Sequence, residues 1–299
     1  MIFLLLSVLS SAAVALVLKL ASQRSVARFP LFTVNYATAL VLGLLLSHAG
    51  ALAEEPPAAI GIALASGALY VLGFLVFRRA IAETSAGIAA SVSRLSVAGP
   101  IVLSVLVFGE SMGVPQAGGI VLAIVALPLS GRIWPPWSRG LPVAPPAGEP
   151  SSARDEHDRH LASGVLWAAA LFVIFAVNDG VLKVRTELLP GSDAGLFFAI
   201  LFGSAGVISF VIAIVRRERP TREVLLGIPL GAANYGTAYF LSLALERMPG
   251  YEAFTLNSVG VILVVVVAGR VFFAERLARH NYVFLAASVA AIVLLRLPG

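Results

Sequence analysis

The chain has 299 residues, of which 59% are apolar and 12% charged, against about 25% charged in soluble domains. No soluble core hides that much apolar surface, so lipid must be the solvent for most of it, and the net charge of +5 reads as membrane orientation, with no nucleic acid as partner. Cysteine is absent, which excludes disulfides and thiolate metal sites.

Lipid admits only helices or closed barrels, and these apolar runs are too long and too uniform for barrel strands. The expected fold is therefore an all-α integral membrane protein with ten transmembrane helices. They are placed near 2–18, 31–47, 60–77, 85–108, 115–130, 161–182, 194–215, 224–245, 252–273 and 282–296. The first run has no basic leader and is read as a retained helix rather than a signal peptide. Residues 133–160 read as a Pro-rich polar linker, with Trp134 and Trp137 anchoring the exit of the fifth helix. The run from Arg154 to His160 alternates acids and bases and reads as a solvated charge run, not a metal site.

The segments on either side of the linker repeat one design. The stretch Thr84–Glu110 returns as Pro249–Glu275, an offset of 165 that also pairs Tyr70 with Tyr235 and Phe32 with Phe197. One gap moves the offset to 164 and lays Val17-Leu18-Lys19 on Val181-Leu182-Lys183. Residues 1–132 and 161–299 thus form two five-helix repeats. An odd number of helices per repeat inverts the second copy relative to the first. Loops after the odd-numbered helices carry 16 Lys or Arg, and the other face carries 4, which places both termini outside the cytoplasm.

Two such units, each closing with an aromatic-small-Glu turn and a short apolar helix, resemble the drug/metabolite transporter superfamily of the EamA type. The residues that carry the resemblance are Val107-Phe108-Gly109-Glu110 with Val114-Pro115, and Phe272-Phe273-Ala274-Glu275-Arg276-Leu277 with the final helix. The resemblance implies a ten-helix carrier of small organic solutes, with two inverted repeats around a central cavity. It also implies cytoplasmic termini, opposite to the loop charges. The second copy departs from the first at Ala274 for Gly109 and at Val265 for Pro100.

Candidate functional residues follow from polarity inside apolar runs. Arg94 lies ~15 Å into its helix at ~1.5 Å per residue, near the middle of the hydrocarbon layer, so it must face water or a partner. Small residues, Gly87, Ala90, Ser91 and Ala98, share its face. It either pairs with Asp179 or binds an anionic group of a solute. Asp179 itself either pairs with Lys183 one turn on or carries a coupling proton. Tyr235, Tyr239, Ser242 and Glu246 share one face of the eighth helix. With Tyr70 they line a cavity or pack the bundle, and Asn234, Asn257 and Ser258 add polar groups at that depth. Glu110 and Glu275 read either as a symmetric pair of proton-binding carboxylates or, from their place at the membrane edge, as caps on the short helices that follow them. Gly109-Glu110-Ser111-Met112-Gly113 matches the hydrolase nucleophile elbow in letters, but no strand is expected before it.

The expected function is a secondary transporter of the inner membrane that moves a small organic solute, amino-acid-like or anionic, by alternating access. The alternative is a passive channel or lipid-handling scaffold. No catalytic residue, metal or cofactor is expected. The expected partners are the solute and membrane lipid, with the chain a monomer or homodimer.

Overall fold

A computed structural model describes residues 1–22, 27–84, 86–126, 151–272 and 279–297. All regular structure among them is helical, in the order α1 Ile2–Ser22, α2 Arg28–Leu46, α3 Ala51–Glu54, α4 Pro57–Glu83, α5 Ala86–Leu95, α6 Ala98–Val102, α7 Val114–Ala126, α8 Ser151–Leu188, α9 Ala194–Val215, α10 Gly227–Leu245, α11 Gly250–Phe272 and α12 Arg279–Arg296. A π-helical turn, Leu103–Val107, extends α6, and a 3₁₀ turn, Arg222–Leu226, leads into α10. Seven of these helices are long and apolar enough to cross a membrane, and Val92–Val107, Val114–Ala126 and Leu285–Leu295 are shorter apolar segments. Residues 133–150 of the expected linker, and Phe273, Ala274 and Glu275, lie outside the described residues.

Two expected boundaries need correction. The sixth helix begins at Ser151, inside the stretch expected to be a linker, and runs on to Leu188. The fourth helix is not one rod. α5 ends at Leu95, and Ser96 and Val97 form a turn. Pro100 has no N–H to give to the Ser96 carbonyl, and that carbonyl instead accepts from Gly99 N–H at 2.9 Å. The register then slips, and Phe108 N–H reaches back five residues to the Leu103 carbonyl at 3.2 Å. The equivalent α11, with Val265 in place of Pro100, is continuous.

Packing sets where the polar residues meet. α2 crosses α9 at small residues. A Cβ built on Gly43 would lie 2.8 Å from Ala199 N, and one on Gly195 would lie 2.6 Å from Ser47 N. Larger residues would force these backbones apart, as at other close membrane crossings. α9 starts on a side-chain cap, Leu196 N–H to Asp193 Oδ1 at 2.6 Å. Around this pair, α10 packs on α1 and α2, α4 packs on α8 and α9, α11 packs on α1, and α5 and α6 pack on α8. α7 and α12 pair at the edge, where the Gln116 amide donates to the Leu297 carbonyl.

Candidate solute site and the clasped loop face

Arg94 occupies the last turn of α5, ahead of the break that Pro100 imposes. Asp179 stands on α8, which packs against α5. Both side chains are partly buried and within electrostatic reach of each other. They form no ion pair within 4.0 Å, and neither makes a hydrogen bond among the described residues. A guanidinium with five donors and a carboxylate with two acceptor oxygens therefore stand near each other with no hydrogen bond to either among the described residues. Tyr70 of α4 is within electrostatic reach of the same Asp179 and of Tyr36. Asn178 donates to the Leu69 carbonyl at 3.4 Å, while its side-chain oxygen is buried without a partner.

Aromatic rings lead away from this group. Tyr70 meets Phe202 edge-on at 5.8 Å, and Phe202 lies 6.1 Å from Tyr36 and 6.3 Å from Tyr235. Tyr235 stacks on Tyr239 at 5.3 Å. The two tyrosines matched by the repeat, Tyr70 and Tyr235, thus share one central ring, Phe202. The Tyr235 hydroxyl is buried without a partner, an arrangement that favours a ligand or water at that point.

The other expected site residues separate from this group. Asn234 points to Asn35 on α2 at 3.5 Å. Asn257 accepts from the Ser7 hydroxyl on α1 at 3.0 Å, so both asparagines lie at helix–helix contacts. Ser258 is partly buried, and the Ser91 side chain lies outside the described residues. Ser242 and Glu246 accept from Arg185, Glu246 at 3.3 Å. The lower part of the expected tyrosine face is thereby committed to an ion pair.

Lys183 does not pair with Asp179. Its ammonium is buried against Glu110 Oε1 at 2.6 Å and also meets Glu187. Glu110 is a helix cap, as expected, but not of the helix that follows it. Its carboxylate accepts from Gly250 N–H at 2.7 Å and Tyr251 N–H at 3.2 Å, the first turn of α11 in the other half. Gly250 fits there because a Cβ would fall 2.2 Å from Ser104 Oγ. Sequence reasoning missed this pairing, although Lys19 and Glu275 recur at the matched positions and that recurrence was the available signal. Lys183 and Arg185, two of the four Lys and Arg assigned by sequence to the less basic face, are buried side chains of α8.

The same end of the bundle is tied at further points. Arg185 donates to the Ser192 carbonyl at 3.0 Å. Glu55 accepts from Asp193 N–H at 2.9 Å, and burial pushes the Glu55 carboxyl above its ordinary range. His48 bridges Asp193 at 2.9 Å and Glu54 at 3.2 Å, and these hydrogen bonds hold its pKa above the usual imidazole value. Loops 47–56, 108–113, 189–193 and 246–249 are in this way clasped together. Ser111 sits on one of these turns, between the π turn and α7; no strand precedes it, so the elbow geometry that its motif requires is not formed there.

Comparison with known proteins gives the same architecture. A solved crystal structure superposes with a TM-score of 0.74 over 99% of this chain and 95% of the other, at 16% identity, which shows a shared fold. An uncharacterized protein of Haemophilus influenzae (strain Rd) is 26% identical over 302 residues, spanning 97% of this chain and 95% of its own length. Residues 1–131 match the EamA-like transporter family, whose members are transporters, not enzymes. With seven long apolar helices among the described residues, the chain is a multi-pass membrane protein, and its residues 1–131 are similar to the EamA-like transporter family, which belongs to the drug/metabolite transporter superfamily.

Proposed function

We propose that the chain is a secondary carrier of the inner membrane. It moves a small organic solute bearing a carboxylate, by alternating access between two inverted five-helix repeats. Packing supports the repeat. α1 on α10 has its counterpart in α8 on α4, α2 on α10 in α9 on α4, and α1 on α11 in α8 on α5 and α6. Atomic contacts agree. A Cβ on Gly67 would lie 2.3 Å from the Leu201 carbonyl, and one on Gly231 would lie 2.2 Å from the Asn35 carbonyl.

One observation carries the functional reading: Arg94 of α5 and Asp179 of α8 lie within electrostatic reach of each other without closing an ion pair within 4.0 Å. Burying charge at membrane depth is costly unless the site has a use for it. The Arg94 fork suits a carboxylate. Asp179 suits an ammonium on the same solute or a coupling proton, and Tyr70 supplies an aromatic wall. The clasped loops close one end of the bundle, so the solute exchanges with the other end in this conformation.

Purified protein in liposomes tests this with a panel of amino acids and small carboxylates. Solutes are first screened by thermal shift, since a ligand of the folded state raises apparent stability. Saturable uptake and counterflow are expected. Arg94→Lys should weaken uptake, and Arg94→Ala should abolish it with yield and melting temperature unchanged. Asp179→Asn should stop gradient-driven uptake and spare exchange if Asp179 carries the proton. Normal transport by Arg94→Ala removes the anion site, and non-saturable flux without counterflow would show a passive channel instead.

A further inference from the structure

We propose that the crevice between the start of α2 and the end of α9 binds an anionic glycerophospholipid. The crevice encloses about 510 Å³. Its walls are Pro30 and Val34 from α2, Phe210 and Ile214 from α9, and Val224 from the 3₁₀ turn. Four of these residues belong to α2 and α9, helices long and apolar enough to cross a membrane, so the crevice suits an acyl chain rather than a water-soluble ligand. Arg217 and Arg219 stand at its polar end.

Among the described residues, the charge at that end is not neutralised. Residues 216–222 hold four arginines and one glutamate. Arg216 lies over the Phe29 ring at 5.1 Å. The acid, Glu218, also lines the crevice but accepts the Phe29 N–H at 3.0 Å. Arg217 and Arg219 are exposed and make no side-chain ion pair or hydrogen bond among the described residues. Two free guanidinium forks above an apolar slot match a phosphodiester above its acyl chains. A zwitterionic headgroup would bring its own ammonium to the same place and gain less.

Backbone geometry makes the same point. Arg217 is the one non-glycine residue with positive φ among the described residues, at φ 52°. It ends α9 in a Schellman turn, with Glu218 N–H on the Ala213 carbonyl at 3.0 Å and Arg217 N–H on the Ile214 carbonyl at 2.9 Å. Glycine is the residue that this position favours, and an arginine there is strained. The strain is explained if the side chain has a task at the crevice.

Native mass spectrometry of the full chain, delipidated and then titrated with phosphatidylglycerol or phosphatidylethanolamine, tests the site. Phosphatidylglycerol should be retained preferentially. Arg217→Gln and Arg219→Gln should each weaken retention about fivefold, from the contribution of one cation near anionic lipid. Arg78→Gln, an exposed arginine at the end of α4, should leave retention unchanged. Arg217→Gly gives a second readout with opposite signs. It should raise the melting temperature in neutral detergent by relieving the strained turn, and should lose the added stabilisation that phosphatidylglycerol gives the wild type. Equal retention of both lipids, an equal loss in Arg78→Gln, or full lipid stabilisation of Arg217→Gly would each overturn the proposal.

Discussion

On the proposed repeat, the two halves of this bundle match helix for helix and differ in what they place inside. In the second half, the helix that corresponds to α5 and α6 is the continuous α11, with Val259 at the position of Arg94 and Val265 at that of Pro100. Val259 is buried, and α11 is held to α1 by the Ser7–Asn257 hydrogen bond at 3.0 Å. Ser11 and Thr237 tie α1 to α10 at 3.2 Å. In the first half the same helix is broken at Pro100, and it faces α8 with Arg94 opposite Asp179 and no bond between them. Packing alone is satisfied by the version in the second half, so the departures in the first half are where chemistry is to be sought. A second contrast lies along α8 itself. Lys183 and Asp179 are one turn apart, yet Lys183 is locked to Glu110 and the cap of α11, while Asp179 makes no ion pair or hydrogen bond among the described residues.

The largest effect should come from erasing the first contrast. Arg94→Val with Asp179→Ala puts at each position the residue found at its matched site in the other half, Val259 and Ala15. Transport should fall roughly 100-fold or more, the loss of two charged hydrogen-bonding groups. Thermal stability should hold or rise, because buried charges without mutual contacts are replaced by apolar groups. A folded double variant that still transports would show that the departure is incidental.

The next effect sharpens the contrast along α8. Lys183→Met removes a cation that is paired and buried, leaving the Glu110 carboxylate without its counter-charge and with only the Gly250 and Tyr251 N–H groups. Unfolding in detergent should show a loss of about 3 kcal/mol, where Arg94→Val alone shows little. If the two single variants lose stability equally, the locked and open charges are not different in kind.

The smallest effect concerns pH at the clasped face. His48 is held above its unfolded pKa by Asp193 and Glu54. Its contribution is complete below about pH 6.5 and is lost as pH rises through the folded value. The Glu55 carboxyl is raised as well, by burial, so its cost also grows as pH rises, from the ordinary carboxylate range upward. Melting temperature should therefore drift down from pH 6 to pH 8 at about the scale of an exposed ion pair. His48→Gln should flatten the histidine part of that drift, and an unchanged slope in the variant would exclude His48 as the titrating group.

What the sequence determined by itself follows from local rules. Apolar runs of bilayer length became helices because lipid offers the backbone no other partner. The expected span 194–215 coincides with α9, and the Arg94–Asp179 proximity was legible because few charges lie at that depth. Pro100 was visible too, yet its consequence depended on where the freed Ser96 carbonyl would turn, and neighbouring helices set that. Tertiary structure alone decided that Lys183 meets Glu110 rather than Asp179, and that Glu110 caps α11 rather than α7. Helical spacing places Asp179 and Lys183 on one face, but a long ammonium goes to whichever carboxylate the packing of α6, α8 and α11 brings within reach. A pattern along one helix is a property of the chain, whereas a partner across helices is fixed by how closely small residues such as Gly250 let the backbones approach.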